Sequence, residues 1–147
     1  MTLSRLAVVA AIALAAFPSF AGELRMEMRN NNGTERFVYV PDFVRIKPGD
    51  TVVFDPVDKG HNAVSIDGMG ASDSIRINVG FSKKAAITFD KPGIYGVKCT
   101  PHVGLGMVGV IVVGDVTVSD SMRKSVSKLP LKARHRIEKI FDQSRQS

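Results

Sequence analysis

From Leu24 onward the chain is cut into short apolar or alternating runs by clusters of Gly, Pro and Asn. Leu24 to Arg29 alternates apolar and polar residues strictly, as a half-buried strand does, and Asn30-Asn31-Asn32-Gly33 ends it with turn chemistry. Phe37 to Val40 is aromatic and β-branched, and Pro41 stops it. Val44-Arg45-Ile46-Lys47 alternates again and runs into Pro48-Gly49-Asp50, followed by Thr51 to Phe54. Ala63 to Ile66, Ala85 to Phe89, Ile94 to Lys98 and Val108 to Val113 continue the series, with Lys91-Pro92-Gly93 as another turn. The last of these runs is almost wholly apolar, as a strand buried in a core should be. Ile66 to Gly80, with Gly68, Gly70 and several serines, reads as mostly loop.

Many short strands with Gly/Pro turns predict an all-β fold, a two-sheet antiparallel Greek-key sandwich of roughly eight strands. The pattern changes at Asp115. Ser119 or Asp120 is placed to cap a short helix through Lys128, and Pro130 suits the first position of a second. Leu131, Ile137, Ile140 and Phe141 fall at helical spacing and predict an apolar stripe packed on the sandwich. Residues 117–145 are thus expected to form a tail of two α-helices.

The first residues have a different character. Arg5 precedes an apolar run from Leu6 to Phe17, and Ser19-Phe20-Ala21 ends it with small residues where a signal peptidase reads. Residues 1–21 are therefore expected to be a secretory signal peptide, with no membrane attachment after cleavage, and residues 22–147 one domain. A domain of this size buries enough surface to need no staples. It also has none, because Cys99 is the only cysteine in the chain. A single cysteine in an exported protein points to an intermolecular bridge, a reactive thiol or a metal ligand. The formal net charge is +6, one unit less without Arg5, and this positive excess suggests an acidic partner or surface. Nucleic acid is excluded as a partner by export, by the absence of tryptophan and by the lack of any reader motif or arginine-rich run.

Cys99 has informative neighbours. It ends one strand, His102 lies on the loop beyond, and Met107 precedes the next strand, while His61 begins another strand far upstream. A thiolate, two imidazoles and a weak axial thioether are the ligand set of a blue-copper electron-transfer centre. One copper ion per chain, held by His61, Cys99, His102 and Met107, is the expectation. Zinc fits less well, since its structural sites prefer more thiolates and its catalytic sites hold water in place of a thioether. Pro101 has no N–H and leaves the sulfur without a second hydrogen bond from that position. Asn62 is positioned to tie the His61 segment to Thr100. The filled ligand set leaves no open position for a substrate, so the chain is not expected to be an enzyme. A copper transport or storage protein that never cycles redox state would use the same soft ligands and is the alternative.

Asn62 after His61, Pro92-Gly93-Ile94-Tyr95 before Lys98-Cys99-Thr100-Pro101-His102, and the Pro48-Gly49-Asp50-Thr51-Val52 turn resemble the cupredoxin family. Pro56-Val57-Asp58-Lys59-Gly60-His61-Asn62 and the two-helix tail match one branch of that family in particular. The resemblance runs from Gly22 to the tail. It implies the same four copper ligands and a periplasmic, monomeric carrier that docks transiently with copper nitrite reductase, c-type cytochromes or related redox enzymes. Phe37 stands where some relatives carry methionine near the exposed histidine, and is expected to tune the potential.

Other features have plainer readings. Gly104-Leu105-Gly106-Met107-Val108-Gly109 spells a dinucleotide-binding motif, but a β-branched run follows instead of a helix. These glycines are expected to keep the surface around His102 small and flat. Pro101, Val103, Gly104 and Leu105 then form an apolar docking patch rimmed by Lys59, Lys98 and the Lys83-Lys84 pair. His135 is expected on an exposed helix face without a role. Met26, Met28, Met69 and Met122 are expected to fill space.

Overall fold

The computed structural model describes residues 21–71 and 75–145. The expected leader, residues 1–21, lies outside the described residues apart from Ala21. Nine strands are found among those described: β1 (Glu23–Asn31), β2 (Arg36–Val40), β3 (Phe43–Ile46), β4 (Asp50–Asp55), β5 (Ala63–Ser65), β6 (Asn78–Val79), β7 (Ala85–Phe89), β8 (Gly93–Lys98) and β9 (Val108–Val113). Two helices follow, α1 (Asp120–Val126) and α2 (Leu131–Ser144). The extra strand is β6, two residues inside the segment read from sequence as loop, where it pairs with β5.

The strands form two sheets, ordered β2-β1-β4-β7 and β3-β9-β8-β5-β6. The sandwich is not wholly antiparallel. β1 runs parallel to β4, and β3 parallel to β9. The chain changes sheet between β2 and β3 and again between β3 and β4, so strands adjacent in sequence are often not adjacent in space. Alternation in a sequence determines which face a side chain takes and says nothing about the direction of its neighbour.

Alternation does place the core. Met26 and Met28 of β1 point between the sheets with Phe54, Phe89, Tyr95, Val97 and Ile111, all buried. Phe89 and Tyr95 meet edge to face at 5.0 Å between centroids. Each such fully buried side chain contributes roughly 1.5–3 kcal/mol against exposure.

All six residues of β9 are buried, and the two faces explain why. Ile111 and Val113 enter the core between the sheets, whereas Val108, Val110 and Val112 enter a second core beneath the helices. The apolar run is thus a strand covered on both sides. The tail supplies that cover with Val126, Ala133, Ile137, Ile140 and Phe141. Leu131, expected on the stripe, is instead 57% exposed at the first turn of α2, and Ala133 takes its place. Ser119 caps α1 by accepting a hydrogen bond from the Met122 N–H, while Pro130 is the cap residue of α2 and not its first helical residue. Arg123 of α1 pairs with Glu138 of α2 and joins the two helices. On the same outer face, a side chain at Gly96 of β8 would overlap the Met69 thioether and crowd Ile66, so glycine leaves room there for the 66–70 loop. Among the described residues no helix is long and apolar enough to cross a membrane.

Candidate metal centre

β8 and β9 pair from Gly93↔Val113 to Lys98↔Val108, and the loop joining them carries Cys99, His102 and Met107. The loop is closed by its own backbone. Cys99 N–H donates to Met107 O at 3.1 Å, Met107 N–H to His102 O at 3.1 Å, and His102 N–H to Cys99 O at 3.2 Å. A 3-10 turn over Val103–Leu105 ends at Gly106, whose φ of 93° lies in the left-handed region that glycine adopts without strain. His61 sits just before β5. Its carbonyl accepts from Ser82 N–H at 2.8 Å, and Ser82 Oγ accepts from Gly60 N–H at 2.9 Å.

These two segments bring three donor atoms to one point. His61 Nδ1 and His102 Nδ1 are 3.2 Å apart, and Cys99 Sγ lies 3.8 Å from the first and 3.4 Å from the second. A triangle with these sides has a centre about 2.0 Å from every corner, which is a metal–imidazole bond length and close to a metal–thiolate one. A soft sulfur with two imidazoles suits copper in both of its common oxidation states. His61 and Cys99 are fully buried, Met107 is fully buried in the same core as Cys99, and His102 is half-buried.

Burial lowers the pKa of both imidazoles, and for His61 the neighbouring His102 adds to the effect. Burial pushes the Cys99 thiol up, opposed by backbone N–H groups of Asn62 and His102. The three donors therefore rest as neutral groups at pH 7. A bound cation reverses this balance at the sulfur, where it displaces the thiol proton.

The groups around the donors are ordered too. Asn62 Oδ1 accepts from Thr100 N–H at 2.8 Å and from Thr100 Oγ1 at 3.2 Å, joining the two donor segments. Tyr39 Oη donates to Asn62 O at 2.7 Å, and burial raises the Tyr39 phenol well above its ordinary range. The Phe37 ring lies flat on His102, 4.1 Å between centroids and 4° from parallel, and meets His61 edge to face at 6.1 Å. Phe37 adopts φ 54°, an unusual backbone for a bulky residue. Pro101 is exposed on the loop.

Asn30 was read from sequence only as part of a turn. Its Oδ1 lies 3.0 Å from His61 Nε2. With Nδ1 aimed at the metal point, Nε2 carries the proton and donates it to Asn30, which holds the ring in the ligating tautomer. Asn30 N–H in turn donates to Asp58 Oδ2 at 2.6 Å. No local sequence signal marks this role, because it depends on β1 passing beside the His61 loop. An Asn30→Ala protein should bind Cu(I) about 10–100-fold more weakly in competition with a chelator. Unchanged affinity would show that burial alone orients His61.

The glycines of the dinucleotide-like motif divide. Gly104 is open to solvent, as expected of a flat surface. Gly106 and Gly109 are buried, and a side chain at Gly109 would press on Asp42 O and Val97 at 3.1 Å, so these two serve turn and packing. The motif ends inside a strand, β9, which contains Gly109, and no helix directly follows Gly106. Lys59 and Leu105 are exposed, Lys98 and Val103 half-buried, and His135 is exposed on α2.

Residues 26–114 match the family model for copper binding proteins of the plastocyanin/azurin family. The chain belongs to the pseudoazurin branch of that family. It is 39% identical over 134 residues to pseudoazurin from Methylorubrum extorquens, covering 90% of each chain. It is 39% identical over 132 residues to pseudoazurin from Paracoccus pantotrophus, again with 90% of each covered. The crystal structure of pseudoazurin from Methylobacterium extorquens AM1 superposes with a TM-score of 0.74 at 36% identity, over 82% of this chain and 98% of that one. The His61 flank and the helical tail, which pointed in sequence to one cupredoxin branch, pointed to this one. Like other pseudoazurins, the protein is a copper-binding electron carrier and not an enzyme.

Proposed function

We propose that this pseudoazurin shuttles single electrons in the periplasm through a type 1 centre formed by His61 Nδ1, Cys99 Sγ, His102 Nδ1 and Met107 Sδ. The observation that carries the ligand set is the three-donor triangle, which is already of metal-bond size. When bound, copper supplies a one-electron couple between Cu(I) and Cu(II). The chain supplies rigidity. Three of the four ligands lie on one loop cross-linked by its own backbone, and the fourth is tied to that loop through Asn62 and Thr100. A framework that does not relax between oxidation states keeps the barrier to transfer low.

His102 is the port for electrons, because it alone of the four reaches the surface. Phe37 covers one face of its imidazole and restrains the ring. Cys99 gives the main electronic coupling, and its sulfur faces the backbone N–H groups of Asn62 and His102, with Pro101 contributing none. Around the port, Pro101, Val103, Gly104 and Leu105 form the apolar contact, and Lys59 and Lys98 supply positive charge to its rim. Acidic redox proteins such as copper nitrite reductase and c-type cytochromes are the proposed partners, met by the monomer after removal of residues 1–21.

Such contacts are small and short-lived, with charge governing the on-rate. Stopped-flow electron transfer to an acidic copper nitrite reductase should slow progressively as salt rises. Leu105→Ala should lower the limiting rate at every ionic strength. Rates that are flat in salt would remove the steering role of the lysines, and an unaltered Leu105→Ala rate would move the contact away from His102.

A further inference from the structure

Beside the metal centre lies a half-open groove of about 930 Å³, bounded by the β1–β2 turn, the bend after β2, the Val103–Gly106 turn and one side of α2. Its lining is strongly basic. Lys132, Arg136 and Lys139 recur at four- and three-residue spacing and so share one face of α2. Arg36 adds a cation at the rim, its guanidinium 5.2 Å from the centroid of the Phe37 ring.

Arg136 is the focus of the groove. Its side chain is only 12% exposed. One terminal nitrogen, Nη2, pairs with Glu35 at 2.6 Å, and the other, Nη1, is buried with no hydrogen-bond partner among the described residues. A guanidinium presents its N–H groups in a plane that matches the oxygens of a carboxylate or phosphate. Here half of that fork holds a carboxylate and half holds nothing. A buried donor left unpaired is unfavourable, and a turn of the side chain that brings Nη1 into the groove, where a ligand supplies the missing oxygen, relieves it. The other acid of the lining is Asp42, whose carboxyl is pushed up by burial against the opposing pull of Arg136.

We propose that this groove binds a small free oxyanion, such as phosphate, sulfate or a carboxylate, on the Arg136 guanidinium. Lys132 and Lys139 add charge, and the exposed Glu35 carboxylate is the chain's own competitor for the same group. The lining adjoins the metal loop but includes none of the four copper ligands, so the proposal does not depend on their assignment.

The test is an NMR titration of the reduced, copper-loaded protein with sodium phosphate, against sodium chloride at equal ionic strength. Phosphate should give saturable shifts at the Arg136 Nε–Hε signal and at the Glu35 and Gly106 amides. Arg136→Gln should weaken the apparent affinity about tenfold or more, and Glu35→Gln should strengthen it about threefold. Lys124→Gln, on the exposed side of α1, should leave it unchanged. If Arg136→Gln fails to fold, Lys139→Gln at the exposed rim should still weaken binding about threefold. Shifts that match those from chloride, that stay linear without saturating, or that neither Arg136→Gln nor Lys139→Gln reduces would overturn the proposal.

Discussion

Cys99→Ser should yield a folded, colourless protein. The wild type, oxidised and copper-loaded, should absorb intensely in the visible through thiolate-to-copper charge transfer, and ascorbate should bleach it reversibly. A serine hydroxyl offers neither the soft sulfur nor the easily lost proton, so that absorption should vanish completely. Copper affinity should fall by more than the roughly 10–100-fold expected for losing a group that only orients a ligand. The fold should survive because serine is slightly smaller than cysteine and the loop is closed by backbone bonds at Cys99, His102 and Met107 that do not involve the sulfur. Far-UV circular dichroism and optical titration with Cu(II) separate the two effects. A coloured Cys99→Ser protein would place the copper elsewhere.

Phe141→Ala should do the reverse, damaging stability and sparing colour. Phe141 is 1% exposed and packs with Val108, Val110 and Val112 in the core beneath the helices. Truncating a buried phenylalanine costs about 3–5 kcal/mol, which in a domain of this size lowers the melting temperature by roughly 10–20 °C. Cys99 and Met107 belong to the other core, between the sheets, on the far side of β9 from Phe141. The visible spectrum of the folded variant should therefore match the wild type. Thermal melts of the copper-free forms, with spectra of the loaded ones, test both halves. A shifted spectrum would mean that the tail sets the geometry of the metal loop.

How much of this could be read without coordinates varies with the distance over which each feature is determined. Strand positions are local, because alternation and turn residues mark them, and β4, β7, β8 and β9 lie where the sequence put them to within a residue, while β1 runs two residues further than expected, through Asn30 and Asn31. Cys99, His102 and Met107 are also local, since one short loop holds all three. β6 was missed because a two-residue edge strand has no periodicity of its own and exists only by pairing with β5. Leu131 was placed on the wrong side of α2, since the helical pattern does not say where the first turn meets the sheet.

By itself the amino-acid sequence determined the β-rich class, the helical tail and the types of atom offered to a metal, because each is written in residues near one another in the chain. Tertiary structure alone decided that Asn30 would hold His61, that Phe37 would lie on His102, and that Arg136 would stand half-paired beside them. Those contacts join segments that meet only when two sheets and a helix pack together. The direction and register of that packing follow from burial summed over the whole molecule, which no short stretch of sequence contains.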